Sequence, residues 1–171
     1  HGAKVFSFLM LRVVQHSVFG AWPEHKTYAS ITLEFAARHR RRLRLDLDNG
    51  EEVLLDLNKA VAMRGGDGLL TENGQWIKVI AASEQVLKIS TKDRSLFVRL
   101  AWHLGNRHVA ADIRDATIII KPDHVLKEML EGLGARVEEI SNPFQPEGGA
   151  YSEHNHHQAG EEHSKADHGY Q

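Results

Sequence analysis

Asp93-Arg-Ser-Leu-Phe-Val-Arg-Leu-Ala-Trp-His-Leu-Gly-Asn-Arg-His108 decides the reading of the second half of the chain. Asp93 is a helix-capping residue type, because its carboxylate can accept from the unpaired N–H groups of a first turn. Phe97, Val98, Ala101 and Leu104 then recur at helical spacing, and Gly105-Asn106 is a stop. The spacing predicts a helix over 95–104, with Gly105 free to take the left-handed conformation that ends it. Upstream, Val86-Leu-Lys-Ile89 reads as a strand. Downstream, 109–113 and 117–120 read as two short strands. Pro122 and Asp123 open a second helix with an apolar stripe of Val125, Leu126, Met129, Leu130 and Leu133. Gly134 ends it, and 136–140 closes the unit. The order βαββαβ is the ferredoxin-like arrangement. A boundary with what precedes it falls at 82–84.

The preceding residues read as β. Ile31-Thr-Leu-Glu-Phe35, Leu43-Arg-Leu-Asp-Leu47 and Val53-Leu-Leu-Asp-Leu57 alternate apolar and polar or nearly so. The last two flank Asp48-Asn49-Gly50, a hairpin signal because Asn and Gly tolerate positive φ. Gly65-Gly66-Asp67-Gly68 and Asn73-Gly74 mark further turns around 69–71 and 76–80. The run His39-Arg40-Arg41-Arg42, with Arg38 and Arg44 beside it, reads either as a solvated edge strand or as a docking surface for an acidic partner. The chain opens on His1. Met10 is a candidate natural start, and 5–14 reads as a first strand whose likeness to a secretory signal lacks a small-residue cleavage site. The class is therefore α+β: a small all-β unit over 1–82, a ferredoxin-like unit over 83–142, and a tail over 143–171. Residues 151–171 contain no Leu, Ile, Val, Met, Phe or Trp. Such a segment cannot bury enough apolar surface to offset chain entropy and is expected to be disordered.

Composition excludes several functions. Lys plus Arg is 21 and Asp plus Glu is 23, a net charge of −2. That speaks against a global electrostatic clamp on nucleic acid. With no cysteine, disulfides, thiolate zinc sites, iron–sulfur clusters and thiol catalysis are excluded. No apolar run approaches the ~20 residues that cross a bilayer. The glycine cluster at 65–68 lacks the Lys-Ser/Thr of a phosphate-binding loop, and neither a His-Glu-x-x-His nor a Gly-x-Ser-x-Gly motif is present. A metal-dependent hydrolase would need three protein ligands beside an open position, and no spacing here supplies them.

The unusual feature is 12 histidines, five of them in the last 21 residues. His154, His156, His157, His163 and His168, with Glu153, Glu161, Glu162 and Asp167 among them, suit Ni(II), Cu(II) or Zn(II) through imidazole nitrogen and carboxylate oxygen. His108, at the turn after the first helix, reads either as a ligand or as a surface or capping residue. His103 near that helix end, and His124 in the first turn of the second helix, read as solvated or structural residues as readily as ligands. One imidazole per chain cannot satisfy an ion. A twofold dimer would bring two His108 rings to one place, with tail histidines completing the set.

Trp102-His-Leu-Gly-Asn-Arg-His-Val109, Pro122-Asp-His-Val-Leu126, Leu133-Gly-Ala135 and Pro143-Phe-Gln-Pro-Glu-Gly-Gly-Ala-Tyr151, followed by a His-bearing tail, occur in that order. In this the chain resembles the UreE urease accessory proteins, from about Leu11 to the tail. The resemblance implies a non-enzymatic, cytoplasmic nickel metallochaperone. It implies a β-rich peptide-binding domain, a ferredoxin-like metal-binding domain, and a homodimer holding Ni(II) at its interface through the His of Gly-Asn-Arg-His, here His108. His103 and His124 match positions where some members bear metal-responsive histidines, and Pro122 stands where some carry a further His. Zn(II) or Cu(II) would occupy the same histidines. The implied partners are the urease GTPase accessory protein and the urease apoprotein complex, with no nucleic acid and no membrane. The alternative is a folding helper whose tail only buffers metal.

Overall fold

The computed structural model describes residues 10–148. The expected tail ligands His154, His156, His157, His163 and His168, and the expected disorder of that segment, lie outside the described residues. The first half forms a mixed six-stranded sheet from β1 (Arg12–Ser17), β2 (Thr27–Leu33), β3 (His39–Asp46), β4 (Glu52–Ala62), β5 (Gly68–Thr71) and β6 (Trp76–Ala81), in the order β2-β6-β5-β1-β4-β3. The turn signals act as read. Asp46 pairs with Glu52 across a hairpin whose Gly50 has φ +89°, and Gly74, at φ +85°, donates to the Thr71 carbonyl between β5 and β6. Side chains from all six strands, including Val13, Ile31, Leu45, Leu55, Leu69, Ile77 and Val79, fill one continuous core. Residues 5–9 of the expected first strand lie outside the described residues; within the described part β1 begins at Arg12, with Arg12 opposite Leu54 and Val13 opposite Thr71.

The second half has the element order βαββαβ: β7 (Ser83–Ser90), α1 (Arg94–Asn106), β8 (Asp112–Ile113), β9 (Thr117–Ile120), α2 (His124–Gly132) and β10 (Arg136–Pro143). Its four strands are antiparallel, in the order β10-β7-β9-β8. Asp93 caps α1 by accepting from Ser95 and Leu96, and Asp123 caps α2 by accepting from Leu126. Pro122 therefore lies just outside the helix it was expected to open. Strand periodicity of two explains how this sheet is used on both faces. Leu87, Ile89, Ile118 and Ile120 face the helices and pack with Leu100, Leu104 and Leu130. Val86 and Ile119 face the other way and pack with Phe144, Phe35 and Ile140.

That second face joins the halves and carries three corrections. Phe35 is not in a strand. It starts a single 3-10 turn, Phe35–Ala37, and meets Phe144 edge-on at 5.1 Å. Core packing does not stop at Asn142, because Phe144 is fully buried. Arg38 is not part of a solvated basic run. It is 2% exposed and donates to the carbonyls of Leu33 (3.2 Å), Met63 (3.1 Å) and Phe144. Burial lowers its pKa, opposed by the charge of Glu84.

Glu84 is itself buried. It accepts from the Phe35 N–H at 2.9 Å and pairs with Lys121. Burial alone would raise its pKa, but the Lys121 ion pair, the Phe35 N–H and the Arg38 charge outweigh that and hold it below the usual carboxylate range. A carboxyl with a depressed folded-state pKa stabilises the fold above its unfolded value and loses that contribution as pH falls through the folded one. Glu84→Gln should cost about 1–3 kcal/mol at neutral pH. In urea unfolding the gap to the parent chain should narrow between about pH 5 and pH 3. A gap of equal size at both ends would contradict the ion-pair account.

Candidate metal centre

The geometry of His108 comes from how α1 ends. Arg107 closes the helix, the His108 N–H donates to the Gly105 carbonyl at 3.0 Å, and the Val109 N–H reaches back to the Leu104 carbonyl at 3.0 Å. This pair of bonds is the Schellman motif, and it requires a left-handed residue between the cap and the returning N–H. That residue is His108, with φ +56°. Gly105, the expected left-handed residue, stays inside the helix. The motif is set by where apolar contact resumes, since Leu104 is buried and Val109 packs against the same core.

The end of α2 is an internal comparison. Gly134 donates to the Glu131 carbonyl and Ala135 to the Leu130 carbonyl, each at 3.0 Å, and Gly134 has φ +104°. The same motif is thus built twice in one sheet-and-helix unit, once with glycine and once with histidine. A side chain with a Cβ in this region costs on the order of 1 kcal/mol relative to glycine. At α1 that cost is borne, and the ring it carries is exposed to solvent.

The outer surface of α1 carries exposed apolar side chains. Val98 is 68% exposed and Trp102 63%. This corrects the expected burial of Val98. The face turned inward carries Leu100 and Leu104, buried, with Leu96, Phe97 and Ala101 packed around them. Positions 98, 102 and 105 fall on one helical stripe. A Cβ at Gly105 would meet nothing within 4 Å, so the stripe ends in a smooth, accessible backbone. Val125, on α2, was also expected inside but is 63% exposed.

The other candidate histidines are placed differently. His103 is half-buried against the Trp102 ring at 5.0 Å, and Arg107 donates to both its Nδ1 (3.3 Å) and its carbonyl (3.2 Å). One ring nitrogen is thereby engaged, with a cation next to it. His124 is the first residue of α2, exposed, on a groove it shares with Pro122, Lys127 and Glu139. Among the described residues no three His, Asp or Glu side chains converge as a metal site. His103, His108 and His124 therefore do not form a closed ligand set within one chain.

Sequence reasoning missed the segment that fixes the root of the tail. Arg64 donates to the carbonyls of Gln145 and Pro146, each at 3.0 Å, and the Gly65 N–H donates to the Gln145 side chain at 2.7 Å. The Glu147 N–H donates to the Ala111 carbonyl at 2.8 Å, and the Gln145 N–H donates to buried Asp112. Residues 109–111 are drawn into this strap and the helix cap, which shortens β8 from the expected 109–113. The exit segment is so bonded to Ala111, which lies three residues after His108 in sequence.

Residues 12–82 match the UreE urease accessory protein N-terminal domain, and residues 84–170 match the UreE urease accessory protein C-terminal domain. The chain belongs to the UreE family. It is 53% identical over 127 residues to a urease accessory protein UreE of Bradyrhizobium sp. (strain ORS 278), covering 74% of this chain and 60% of the relative. It is 50% identical over 134 residues to that of a second Bradyrhizobium strain (BTAi1), covering 78% and 65%. For UreE of Agrobacterium fabrum the figures are 48% over 148 residues, 86% and 91%. The chain thus spans less than two thirds of the length of the two Bradyrhizobium relatives. UreE proteins are named as accessories of an enzyme, not as enzymes, in agreement with the expectation from sequence. Among the described residues no helix is long and apolar enough to cross a membrane.

If His108 holds its conformation against a backbone cost, relieving that cost should be measurable. His108→Gly is expected to be more stable than His108→Ala by about 1 kcal/mol in urea unfolding. Equal stability of the two variants would remove the strain argument.

Proposed function

We propose that this chain is a nickel metallochaperone that delivers Ni(II) for assembly of the urease active site. The supporting observation is the histidine at the left-handed end of α1, where the second helix of the same unit uses glycine. Backbone strain retained under an exposed metal-ligating side chain fits a functional residue better than a structural one. In this reading residues 83–142 are a ferredoxin-like metal-binding domain and residues 1–82 a peptide-binding domain. The stripe of Val98, Trp102 and Gly105 packs against its copy in a homodimer and brings the two His108 rings to one ion.

Two imidazoles leave a Ni(II) shell open. His154, His156 and His157 complete it, and chain geometry supports this. Glu147 is bonded to Ala111, and seven residues separate it from His154. At 3.3–3.6 Å per residue, that is a reach of up to about 25 Å, against about 10 Å back from Ala111 to His108. His103 and His124 are auxiliary ligands or relay points. A shell completed by ligands from separate stretches of chain exchanges its ion faster than a closed cage, which suits delivery. The cargo ion passes by ligand exchange in the cytoplasm, to a complex of the urease GTPase accessory protein and the urease apoprotein. Zn(II) and Cu(II) would compete for the same imidazoles.

The second reading, a metal-buffering folding helper, places all binding in the tail. Equilibrium dialysis against Ni(II) separates the two. His108→Ala should lose the tight ion shared by a dimer while keeping its circular dichroism, and removal of residues 149–171 should keep one ion per dimer at altered affinity. A tail-only buffer would behave in the opposite way in both. Affinity should also fall as pH is lowered from about 7.5 to about 5.5, since imidazole ligates only when neutral.

A further inference from the structure

The basic run has no part in the metal reading, and its placement is specific. It lies in β3, the last strand of the six-stranded sheet, which among the described residues pairs only with β4. One end of this rim is closed. The Asp48 N–H donates to the Ser30 carbonyl at 2.9 Å, and the Asp48 carboxylate accepts from the hydroxyls of Ser30 (2.7 Å) and Thr32 (3.0 Å), tying the turn after β3 to β2. At the other end His39, Arg40, Arg41 and Arg42 are all exposed. Arg40 pairs with Val61 and Arg42 with Asp56, so residues 57–60 of β4 stand opposite Arg41 alone. That bulge carries Lys59, also exposed.

The charges here are not neutralised locally. Among the described residues Arg40, Arg41, Arg42 and Lys59 make no ion pair. Asp56, directly across from Arg42, is taken by Arg12 at 3.0 Å, and Glu52 is taken by Arg44. Among the described residues a chain of net charge −2 thus keeps three arginines on the edge strand β3, and one lysine on the facing bulge of β4, without an ion pair. Guanidinium forks bind carboxylates in bidentate fashion, and an edge strand offers backbone groups to an extended chain. Nucleic acid is the weaker fit, since its affinity grows with the number of phosphates neutralised and this patch supplies few. Charge on an edge also guards against self-pairing, but guarding predicts no affinity for a carboxylate-bearing strand.

We propose that the open end of β3 is a docking site for an extended acidic segment of a partner protein, whose carboxylates pair with Arg40, Arg41, Arg42 and Lys59. The site is separate from His108, and its success or failure is independent of the nickel reading.

The test uses the full chain and a fluorescein-labelled peptide of four Glu-Val repeats, followed by anisotropy at low salt. Saturable binding is expected. It should weaken about tenfold or more in the triple variant Arg40→Ser, Arg41→Ser, Arg42→Ser, and several-fold in Arg41→Glu alone. It should also weaken as salt is raised from about 50 to about 300 mM. Lys26→Ser, exposed and distant in sequence, should change nothing, and the triple variant should bind Ni(II) like the parent. Among the described residues the side chains of the substituted arginines make no hydrogen bond or ion pair and are exposed, so the fold is expected to persist, which thermal unfolding checks. Absence of peptide binding, or equal binding by the triple variant, would leave edge protection as the role and overturn the proposal. Tighter binding of a single-stranded oligonucleotide of the same length would assign the patch to nucleic acid instead. A gain in peptide affinity on removing residues 149–171 would identify the chain's own tail as the occupant.

Discussion

A buried guanidinium holds the two sheets together. Arg38 donates to carbonyls from three places in the chain: Leu33 at the end of β2, Met63 just after β4, and Phe144 just after β10. The Leu33 carbonyl also accepts from the Ala82 N–H at 2.9 Å, and a buried carbonyl left unpaired at this junction would cost about 1–3 kcal/mol. With Phe144 so fixed, Gln145 and Glu147 reach Arg64, Asp112 and Ala111. The start of the tail is consequently anchored beside the segment that follows His108. Without this junction the tail histidines would have no defined origin relative to the ring they are proposed to assist.

The cap of α1 illustrates how the proposed ligand His108 is carried on a rigid element. A loop histidine would be easier to place but harder to hold. Here two backbone hydrogen bonds and the Leu104–Val109 packing dictate the direction of the His108 backbone, so the side chain leaves the surface at a fixed point at the end of α1. The glycine in the matching position of α2 shows what the fold uses when no side chain is required there.

Much of this was legible in the sequence, for physical reasons. Asp93 and Asp123 mark helix starts because carboxylates satisfy exposed N–H groups. Asn49-Gly50 and Asn73-Gly74 mark turns because few residues accept positive φ. Val86-Leu-Lys-Ile89 and Thr117-Ile-Ile-Ile120 mark strands because they are short and rich in β-branched residues, and their adjacent apolar residues go to opposite faces, both of which are covered. Other features were hidden. α1 is apolar at 96, 97, 98, 100, 101 and 104, a stripe too wide to say which edge is exposed, so Val98 was placed on the wrong side. Arg38 is chemically like its neighbours in the basic run, and only the carbonyls brought by distant segments bury it. Phe144 sits between two prolines and resembles an exit loop until the second face of the sheet is known to need covering. Propensity favours Gly105 over His108 as the left-handed residue, and tertiary packing overrides it. The candidate ligand His108 was visible, whereas its completion depends on groups that no single described chain brings together.

The most direct test of the central claim is nickel anomalous diffraction from crystals of the full chain grown with Ni(II). The account predicts an anomalous peak on a twofold axis, bonded to the His108 ring of each copy. A peak elsewhere, with the two His108 rings far apart in every assembly of the crystal, would contradict it.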